Sequence, residues 1–150
     1  MFSEVLVVCV GNICRSPMAE AILRQRLAGS RISIRSAGLR ALAGAPMHEL
    51  AQAVLHDHGM PSPGHQSRQL DRPMLRRAQL VLAMERTHLD RLLHLAPEIR
   101  GKAFLISQWQ HPSEVADPYR QPRAAFEQAY QLLWRSVGDW LPYIESGDPK

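Results

Sequence analysis

The sequence predicts a single α/β domain built on a parallel β-sheet. A short apolar run at residues 5–8 is followed by a helical pattern and then by a second strand-like run at residues 32–34. Strand, helix and strand within about thirty residues form a βαβ unit, whose right-handed connection makes the two strands parallel. The chain has 150 residues, of which 45% are hydrophobic. This suits one domain over residues 1–150 that buries about two-thirds of the surface of its unfolded chain.

The first strand and helix are predicted from residue types. Residues 5–8 form a continuous apolar run typical of a buried parallel strand, and the turn-forming pair Gly11-Asn12 ends it. Ser16 is a candidate N-cap, and Pro17 suits the first helical position. Apolar residues then recur at helical spacing until Gly29, so we expect the first helix to end there.

The later elements alternate in the same way. Apolar periodicity and helix-breaking residues predict two further strands, three helices and one long loop. Gly59, Pro61 and Pro63 end the first of these helices. The predicted elements are a helix over residues 50–58, a strand over 80–83, a helix over 87–95, a strand over 103–106, a loop over 107–121, and a final helix that Pro122 opens and that runs until Pro142 or shortly beyond.

Composition excludes several classes of function. The chain has 18 Lys and Arg against 14 Asp and Glu, a formal charge of +4, but the arginines are scattered and are not interleaved with aromatic residues. We therefore expect no nucleic-acid partner. No signal peptide or apolar membrane span is apparent, so we expect a cytoplasmic protein without membrane insertion. As a separate expectation, we take the protein to be a monomer. Two cysteines five positions apart do not form the disulfide framework of a secreted domain.

The histidine-rich stretch is not predicted to bind metal. A His-x-His pair on a helix does not place both imidazoles on one face, and a zinc site at the cysteines would need further thiolates. We therefore expect no metal and no cofactor, and solvated or hydrogen-bonded imidazoles. The histidines are His48, His56, His58 and His65.

Residues 9–16, here called the Cys9 loop, join the end of the first strand to the start of the first helix. Open α/β sheets bind ligands at this place. Successive backbone N–H groups and the positive end of the helix can surround an anion there, and Gly11 and Asn12 tolerate the backbone angles that such a nest needs. The sequence therefore predicts a phosphate-binding loop after the first strand.

Cys9 and Arg15 add reactive groups to this loop. The N–H groups and the Arg15 guanidinium should favour the thiolate of Cys9, which would then be a nucleophile, and Arg15 can bind two phosphoryl oxygens with its planar fork of donors. By themselves these residues also fit a buried cysteine at a strand end and a surface arginine on a first helical turn. The loop lacks the lysine and glycine pattern of a Walker loop. Its position at the helix N-terminus favours the nucleophile.

Residues 7–20 resemble the signature loop of the low-molecular-weight protein tyrosine phosphatases. Asp117-Pro118-Tyr119 resembles the distal acid motif of that family, and Ser36-Ala37-Gly38 and residues 82–85 resemble further landmarks after the second and third strands. The resemblance covers nearly the whole chain. It implies a central four-stranded parallel sheet with helices on both faces.

The resemblance also implies residue roles. Cys9 is the nucleophile, Arg15 binds the phosphoryl group, and Asp117 protonates the leaving oxygen and then activates water. Asn12, Ser16 and Ser36 support the loop, and Ser16 assists departure of the thiolate. The predicted phosphate-binding residues are Val10, Gly11, Asn12, Ile13, Cys14, Arg15 and Ser16.

The rim of the cleft resembles a bacterial branch of the family. Tyr119 would form one side by that resemblance, and aliphatic Leu39 and Leu42 occupy the stretch where eukaryotic-type members often carry an aromatic residue. That branch is associated with capsule and exopolysaccharide export. The resemblance therefore implies a phosphotyrosine protein as partner, namely a bacterial tyrosine autokinase or its targets.

Several alternatives stay open on the sequence. Cys14 is a candidate redox partner of Cys9, but a small side chain buried against the sheet explains it equally well. Arsenate reductases of this fold use further cysteines downstream, and none follows Cys14. Protein-arginine phosphatases carry threonine where this loop has Ile13, which favours an aryl substrate. A phosphotyrosine-binding module without catalysis would be expected to lack the nucleophile or the acid, whereas Cys9, Arg15 and Asp117 are all present.

Overall fold

The computed structural model describes residues 2–61 and 64–147 of the chain. Pro63, one of the residues predicted to end the second helix, lies outside the described residues. Within these ranges there are four strands and five α-helices, and a short 3-10 helix, Pro97–Ile99, precedes the last strand. The elements are β1 (Glu4–Cys9), α1 (Arg15–Arg26), β2 (Ser33–Gly38), α2 (Glu49–Asp57), α3 (Arg72–Arg77), β3 (Leu80–Ala83), α4 (Arg86–Leu95), β4 (Ala103–Leu105) and α5 (Arg123–Ser146).

The strands form one parallel sheet in the order β2-β1-β3-β4. Strand β1 lies in the interior, where Val5 pairs with Ile34 of β2 and with Leu80 of β3. The predicted four-stranded parallel α/β architecture is therefore confirmed. Because β1 is central, the Cys9 loop begins at the middle of the carboxyl edge of the sheet.

Alternating side chains of β1 face two cores, as the pleat of a strand requires. Val5, Val7 and Cys9 join the larger core, which includes residues of α1, α2 and α5. Leu6 and Val8 join the smaller core, which includes residues of α3 and α4. Helices thus cover both faces of the sheet, and the side chain of Cys9 points toward the layer that contains α1.

Two local predictions differ from the structure. Helix α1 begins at Arg15 after Cys14, and Ser16 is not its N-cap, because the Ser16 hydroxyl is hydrogen-bonded within the Cys9 loop. Ser36-Ala37-Gly38 lies inside β2 and does not follow it, since pairing with β1 extends the strand as far as Gly38.

Helix α3 was not predicted. It has six residues and a single buried one, Leu75, which is too short for a periodic apolar pattern. It starts where the Asp71 carboxylate accepts a hydrogen bond from the N–H of Met74. At the other end of the chain, α5 continues through Pro142 to Ser146, within the predicted limit.

The tryptophans are mainly packing residues. Trp140 is completely buried and donates its Nε1–H to the carbonyl of Ile106 at 2.8 Å. The guanidinium of Arg26 lies over the Trp134 ring, and Trp109 stays 41% exposed. Within the described ranges, none of the helices is long and apolar enough to pass through a lipid bilayer.

Candidate active site

The carbonyl groups of the Cys9 loop are fixed outward by the surrounding chain. The backbone N–H groups of Leu39, Arg40 and Leu42 donate to the carbonyls of residues 9, 10 and 11 at 2.9, 2.9 and 3.2 Å. The N–H of His48 donates to the carbonyl of Ile13 at 2.8 Å. In a trans peptide the N–H points opposite to the C=O of the preceding residue. The loop therefore directs N–H groups into a concavity on the side of the Cys9 sulfur, as a nest for an anion would require.

Asn12 holds the shape of the loop. It is completely buried and has a positive φ of 60°, which asparagine tolerates better than most residues. Its Nδ2 donates to the hydroxyls of Ser16 and Ser36 at 2.8 and 2.9 Å, and its Oδ1 accepts the N–H of Arg68 at 2.9 Å. Both Nδ2 protons and the Oδ1 of this carboxamide therefore have partners, and these hydrogen bonds hold the side chain in one orientation.

The backbone of Asn12 is fixed as well. Ser67 Oγ donates to its carbonyl at 2.7 Å, and Nε2 of His65 lies at the same distance from that oxygen. The hydroxyl of Ser36, which also holds the Asn12 side chain, donates a hydrogen bond to the carboxylate of Glu20 at 2.5 Å. Each buried polar group in this network has a hydrogen-bond partner, and such a network makes the base of the loop rigid.

The sulfur of Cys9 lies at the bottom of the concavity. Cys9 is 3% exposed, and its Sγ receives the backbone N–H of Asn12 at 3.3 Å. Ser16 Oγ lies 2.8 Å from this sulfur. Because Ser16 Oγ already accepts a proton from Asn12 Nδ2, its own hydroxyl proton is free to point at the sulfur. Two donors therefore face Sγ at the bottom of the concavity.

Arg15 is buried and oriented by one of its terminal nitrogens. It is 2% exposed, and Nη1 donates to Glu85 Oε2 at 2.5 Å and to the carbonyl of Val115 at 2.8 Å. Both protons of Nη1 are thereby used. The other edge of the guanidinium, Nε and Nη2, is left as a fork of donors, and its Nη2 lies 3.6 Å from Asp117 Oδ2. This edge can bind two oxygens of one anion.

Asp117 approaches from the loop of residues 107–121, which has no regular helix or strand. Its side chain is 48% exposed, and Oδ1 accepts the N–H of Tyr119 at 3.1 Å, which is an Asx turn. The structure therefore brings Cys9, Arg15 and Asp117 to one edge of the sheet although more than a hundred positions separate the first from the last.

The three predicted rim residues differ in exposure. Leu42 and Tyr119 are 53% and 41% exposed, whereas Leu39 is half-buried against the smaller core. The ring of His48 meets Tyr119 edge-on at 5.9 Å, and the Arg120 guanidinium lies 5.5 Å from the centre of the Tyr119 ring. Leu42 and Tyr119 thus present most of the open apolar surface of the rim.

Cys14 is a buried thiol at the start of α1. Burial is the main cause that raises its pKa to about 12, and the nearby Asp117 and Cys9 act in the same direction, against Arg15. Both cysteines are free in the structure. The Cys14 thiol therefore stays protonated near neutral pH.

Glu85, Ser67 and Val115 are parts of the site that sequence reasoning did not single out. Glu85 is part of the stretch 82–85 that resembles the family, but the resemblance assigned no role to its carboxylate. Ser67 contributes its hydroxyl to Asn12, and Val115 contributes its backbone carbonyl to Arg15. No local sequence pattern identifies such contacts. Among the described residues, no group of three or more His, Cys, Asp or Glu is arranged to hold a metal ion.

A parallel α/β sheet whose central strand ends in a loop with a buried cysteine and an arginine is the arrangement expected of a cysteine-dependent phosphatase. The family model described as low molecular weight phosphotyrosine protein phosphatase matches residues 4–148. This chain belongs to that family. The predicted family and enzyme class, a protein-tyrosine phosphatase, are therefore confirmed.

Similar proteins include bacterial members of this family. The low molecular weight protein-tyrosine-phosphatase Wzb of Escherichia coli (strain K12) is 44% identical over 97% of this chain and 98% of its own length. The crystal structure of the Erwinia amylovora tyrosine phosphatase AmsI has a TM-score of 0.90 at 39% identity, over 95% of this chain and 93% of that chain. The predicted resemblance to a bacterial branch is thus confirmed.

A phosphatase for a different residue has nearly the same fold. The YwlE arginine phosphatase from Geobacillus stearothermophilus has a TM-score of 0.86 at 31% identity, over 97% of this chain and 94% of that chain. The fold alone therefore does not select the amino acid from which phosphate is removed.

Proposed function

We propose that this chain removes phosphate from phosphotyrosine in proteins, with Cys9 as nucleophile, Arg15 as the phosphoryl-binding side chain and Asp117 as the acid and base. The observation that supports this most directly is the convergence at one concavity of a sulfur facing two donors, a guanidinium with one free edge, and a carboxyl group 3.6 Å from that edge. The roles of the individual residues are part of the proposal.

In the first step the Cys9 thiolate attacks phosphorus, an S–P bond forms, and the bond from phosphorus to the tyrosyl oxygen breaks. The leaving oxygen takes the proton of Asp117, because an aryl oxide leaves more readily once it is protonated. The free edge of Arg15 and the N–H groups of residues 10–15 bind the equatorial phosphoryl oxygens, where negative charge spreads in the transition state. The product of this step is phosphocysteine.

In the second step water attacks the same phosphorus. Asp117, now a carboxylate, accepts the proton of the water as the O–P bond forms and the S–P bond breaks. The hydroxyl of Ser16, 2.8 Å from the sulfur, stabilises the departing thiolate. One carboxyl group thus serves both steps, and inorganic phosphate leaves.

The rim favours an aromatic substrate. Leu42 and Tyr119 are exposed beside the cleft, and the apolar side chain of Ile13 stands in the loop where arginine phosphatases carry threonine. A phenyl ring gains from such apolar contact, whereas a guanidinium would lose hydration without a polar partner. We infer that the partner is a phosphotyrosine protein in the cytoplasm, a tyrosine autokinase of exopolysaccharide production or one of its targets, and that the enzyme acts as a monomer.

The test of the chemistry is hydrolysis of a chromogenic aryl phosphate with excess chelator and reductant, comparing wild type with Cys9→Ser. We expect turnover that survives the chelator and is lost in the folded variant. Turnover in Cys9→Ser equal to that of wild type would remove Cys9 from the mechanism. Circular dichroism of both proteins serves as the control for folding.

The test of the substrate uses two peptides that differ only in carrying phosphotyrosine or phosphoarginine. We expect a much larger kcat/KM for phosphotyrosine, and Ile13→Thr should reduce that preference. Equal efficiency of the wild type on both peptides would contradict the aryl assignment while leaving the cysteine mechanism intact.

A further inference from the structure

We propose that His88 is a positioning residue of this site, which holds the carboxylate of Glu85 against Arg15 and so keeps the free edge of Arg15 directed at the anion. The inference rests on the proposed function of Arg15. His88 lies on α4, outside the Cys9 loop and the loop that carries Asp117.

The start of α4 brings the two side chains together. Glu85 is the N-cap of this helix, yet its carboxylate makes no capping hydrogen bond with its own helix. His88 is the third residue of the helix, and its N–H bonds to the carbonyl of Glu85 at 3.0 Å. A side chain at this position lies beside that of the N-cap residue, as in a capping box. His88 Nε2 accordingly lies 3.7 Å from Glu85 Oε2.

The carboxylate of Glu85 is free to turn away from Arg15, but only its contact with Arg15 orients the guanidinium. The side chain of Glu85 is 30% exposed, so its carboxylate could turn to water. Instead, Oε2 accepts the Nη1–H of Arg15 at 2.5 Å. His88 Nε2 lies 3.7 Å from this same oxygen, so a proton on Nε2 attracts Oε2 and disfavours rotation of the carboxylate away from Arg15.

His88 is suited to be a neutral donor. It is 5% exposed, and burial is the main cause that lowers its pKa, followed by the guanidinium of Arg15. Arg91 lowers the pKa further, whereas Glu85 and Asp117 raise it. A neutral imidazole has one N–H and one bare nitrogen, and a bare nitrogen facing a carboxylate would be repelled. The proton therefore belongs on Nε2.

The second nitrogen supports this assignment. His88 Nδ1 is buried and has no hydrogen-bond partner within the described ranges. Buried polar atoms without partners are uncommon and cost free energy. The tautomer with its proton on Nε2 leaves a bare acceptor without a partner, whereas the other tautomer would bury an unpaired N–H and turn a lone pair toward Glu85.

A pair of substitutions separates positioning from packing. The amide nitrogen of glutamine can take the place of Nε2, whereas that of asparagine corresponds to Nδ1 and is too short to reach Glu85. We expect His88→Asn to raise the dissociation constant of orthovanadate, measured by calorimetry, about fivefold. This is the effect of weakening one hydrogen bond from Arg15 to the anion. His88→Gln should stay close to wild type. His94, exposed on the same helix, provides the matched controls His94→Asn and His94→Gln.

A double-mutant cycle with Glu85→Gln tests whether His88 acts through Glu85. We expect His88→Asn to weaken vanadate binding in the wild-type background and to add nothing to Glu85→Gln. Additive effects, or equal vanadate affinity of wild type and His88→Asn, would overturn the proposal. Equal weakening by His88→Asn and His88→Gln would overturn it too, because it would indicate packing alone.

A measurement without any variant covers the case in which His88→Asn does not fold. Nitrogen NMR of the wild-type imidazole should show His88 protonated at Nε2, and a proton at Nδ1 would overturn the proposal. Neither the vanadate affinity nor the tautomer of His88 is measured through substrate hydrolysis. A failure of the proposed phosphatase chemistry, seen as absent hydrolysis, is therefore distinguishable from a failure of this inference.

Discussion

At the scale of single residues, the site depends on planar groups whose edges are assigned to different partners. The Asn12 carboxamide donates its two Nδ2 protons to the hydroxyls of Ser16 and Ser36, and its Oδ1 accepts the backbone N–H of Arg68. The Arg15 guanidinium gives Nη1 to Glu85 and Val115. All groups of the Asn12 carboxamide are thus assigned, whereas in Arg15 the assigned Nη1 fixes the direction of the remaining edge, Nε and Nη2. Preorganised donors of this kind cost little reorganisation when charge develops on the phosphoryl group.

Asp117→Asn should separate binding from catalysis. An amide can neither protonate the leaving oxygen nor accept a proton from water, so we expect kcat on an aryl phosphate to fall by about 10²–10⁴-fold. Binding of orthovanadate should persist, since Arg15 and the loop are unchanged. Steady-state kinetics and calorimetry measure the two quantities.

The matched control for this variant is Asp90→Asn, which makes the same change at an exposed position of α4. It should have wild-type kcat. A kcat of Asp117→Asn equal to that of Asp90→Asn would show that Asp117 takes no part in proton transfer.

The two cysteines should react differently with an alkylating reagent. The pKa of Cys14 is raised to about 12, so below that pH its thiol stays protonated, and only thiolates are alkylated quickly. Near neutral pH we therefore expect iodoacetamide to label Cys9 first, with a loss of activity that follows the label. Peptide mass mapping over time measures this, and equal labelling of both cysteines at early times would contradict it.

The predicted redox role of Cys14 depends on the same protonation. Peroxide would convert Cys9 to a sulfenic acid, which can condense with the Cys14 thiol to a disulfide and water. A protonated, buried Cys14 makes this condensation slow. The redox pairing stays a prediction, and the structure, with both cysteines free, describes the reduced form.

At the scale of elements, the Cys9 loop is shaped by the end of β2 and by the chain that follows it. Residues 39–42 supply the N–H groups that turn the loop carbonyls outward. Gly38 permits this contact, because a Cβ at that position would lie 2.5 Å from the carbonyl oxygen of Val10 and 3.1 Å from Ala41. The glycine is required by the close approach of two backbone segments.

Gly38→Ala should therefore damage the anion site from outside it. We expect the loop to shift, vanadate binding and turnover to fall together, and the free energy of unfolding to drop by about 1–3 kcal/mol, as for other overpacked sites. Denaturant unfolding and calorimetry measure these effects.

Gly101→Ala is the control, since a Cβ there would have no neighbour within 4 Å and no positive φ is involved. It should resemble wild type in both measurements. Unchanged vanadate binding in Gly38→Ala would mean that the loop does not need this close contact.

The sequence predicted elements well where burial gave a continuous signal. Strand β3 was placed at its observed residues because all four of its side chains are buried. Helix α3 was missed because one buried side chain gives no period. Ser16 was misread as a helix cap because a serine before a proline has that signature, and only the tertiary contact with Cys9 and Asn12 shows where its hydroxyl is used.

At the scale of the whole molecule, the parallel topology gathers the chemistry at one edge. Strand β1 ends at Cys9, β2 ends at Gly38 beside it, and β3 ends shortly before Glu85. Because the carboxyl ends of parallel strands share one edge, residues from distant segments meet there. Cys9, Arg15 and Asp117 could be predicted from sequence through motifs. Glu85, His88 and Val115 could not, because their parts depend on which groups the fold places next to Arg15.

The central claim is that Cys9 carries the phosphoryl group between the two steps. The most direct test mixes Asp117→Asn with an aryl phosphate that has a good leaving group, quenches the reaction in acid within the first turnover, and locates the phosphoryl group by peptide mass spectrometry. The account predicts phosphocysteine at Cys9, formed with the release of the first equivalent of product. Release of product in a single turnover with no phosphoryl group on Cys9 would contradict it and would indicate direct attack by water.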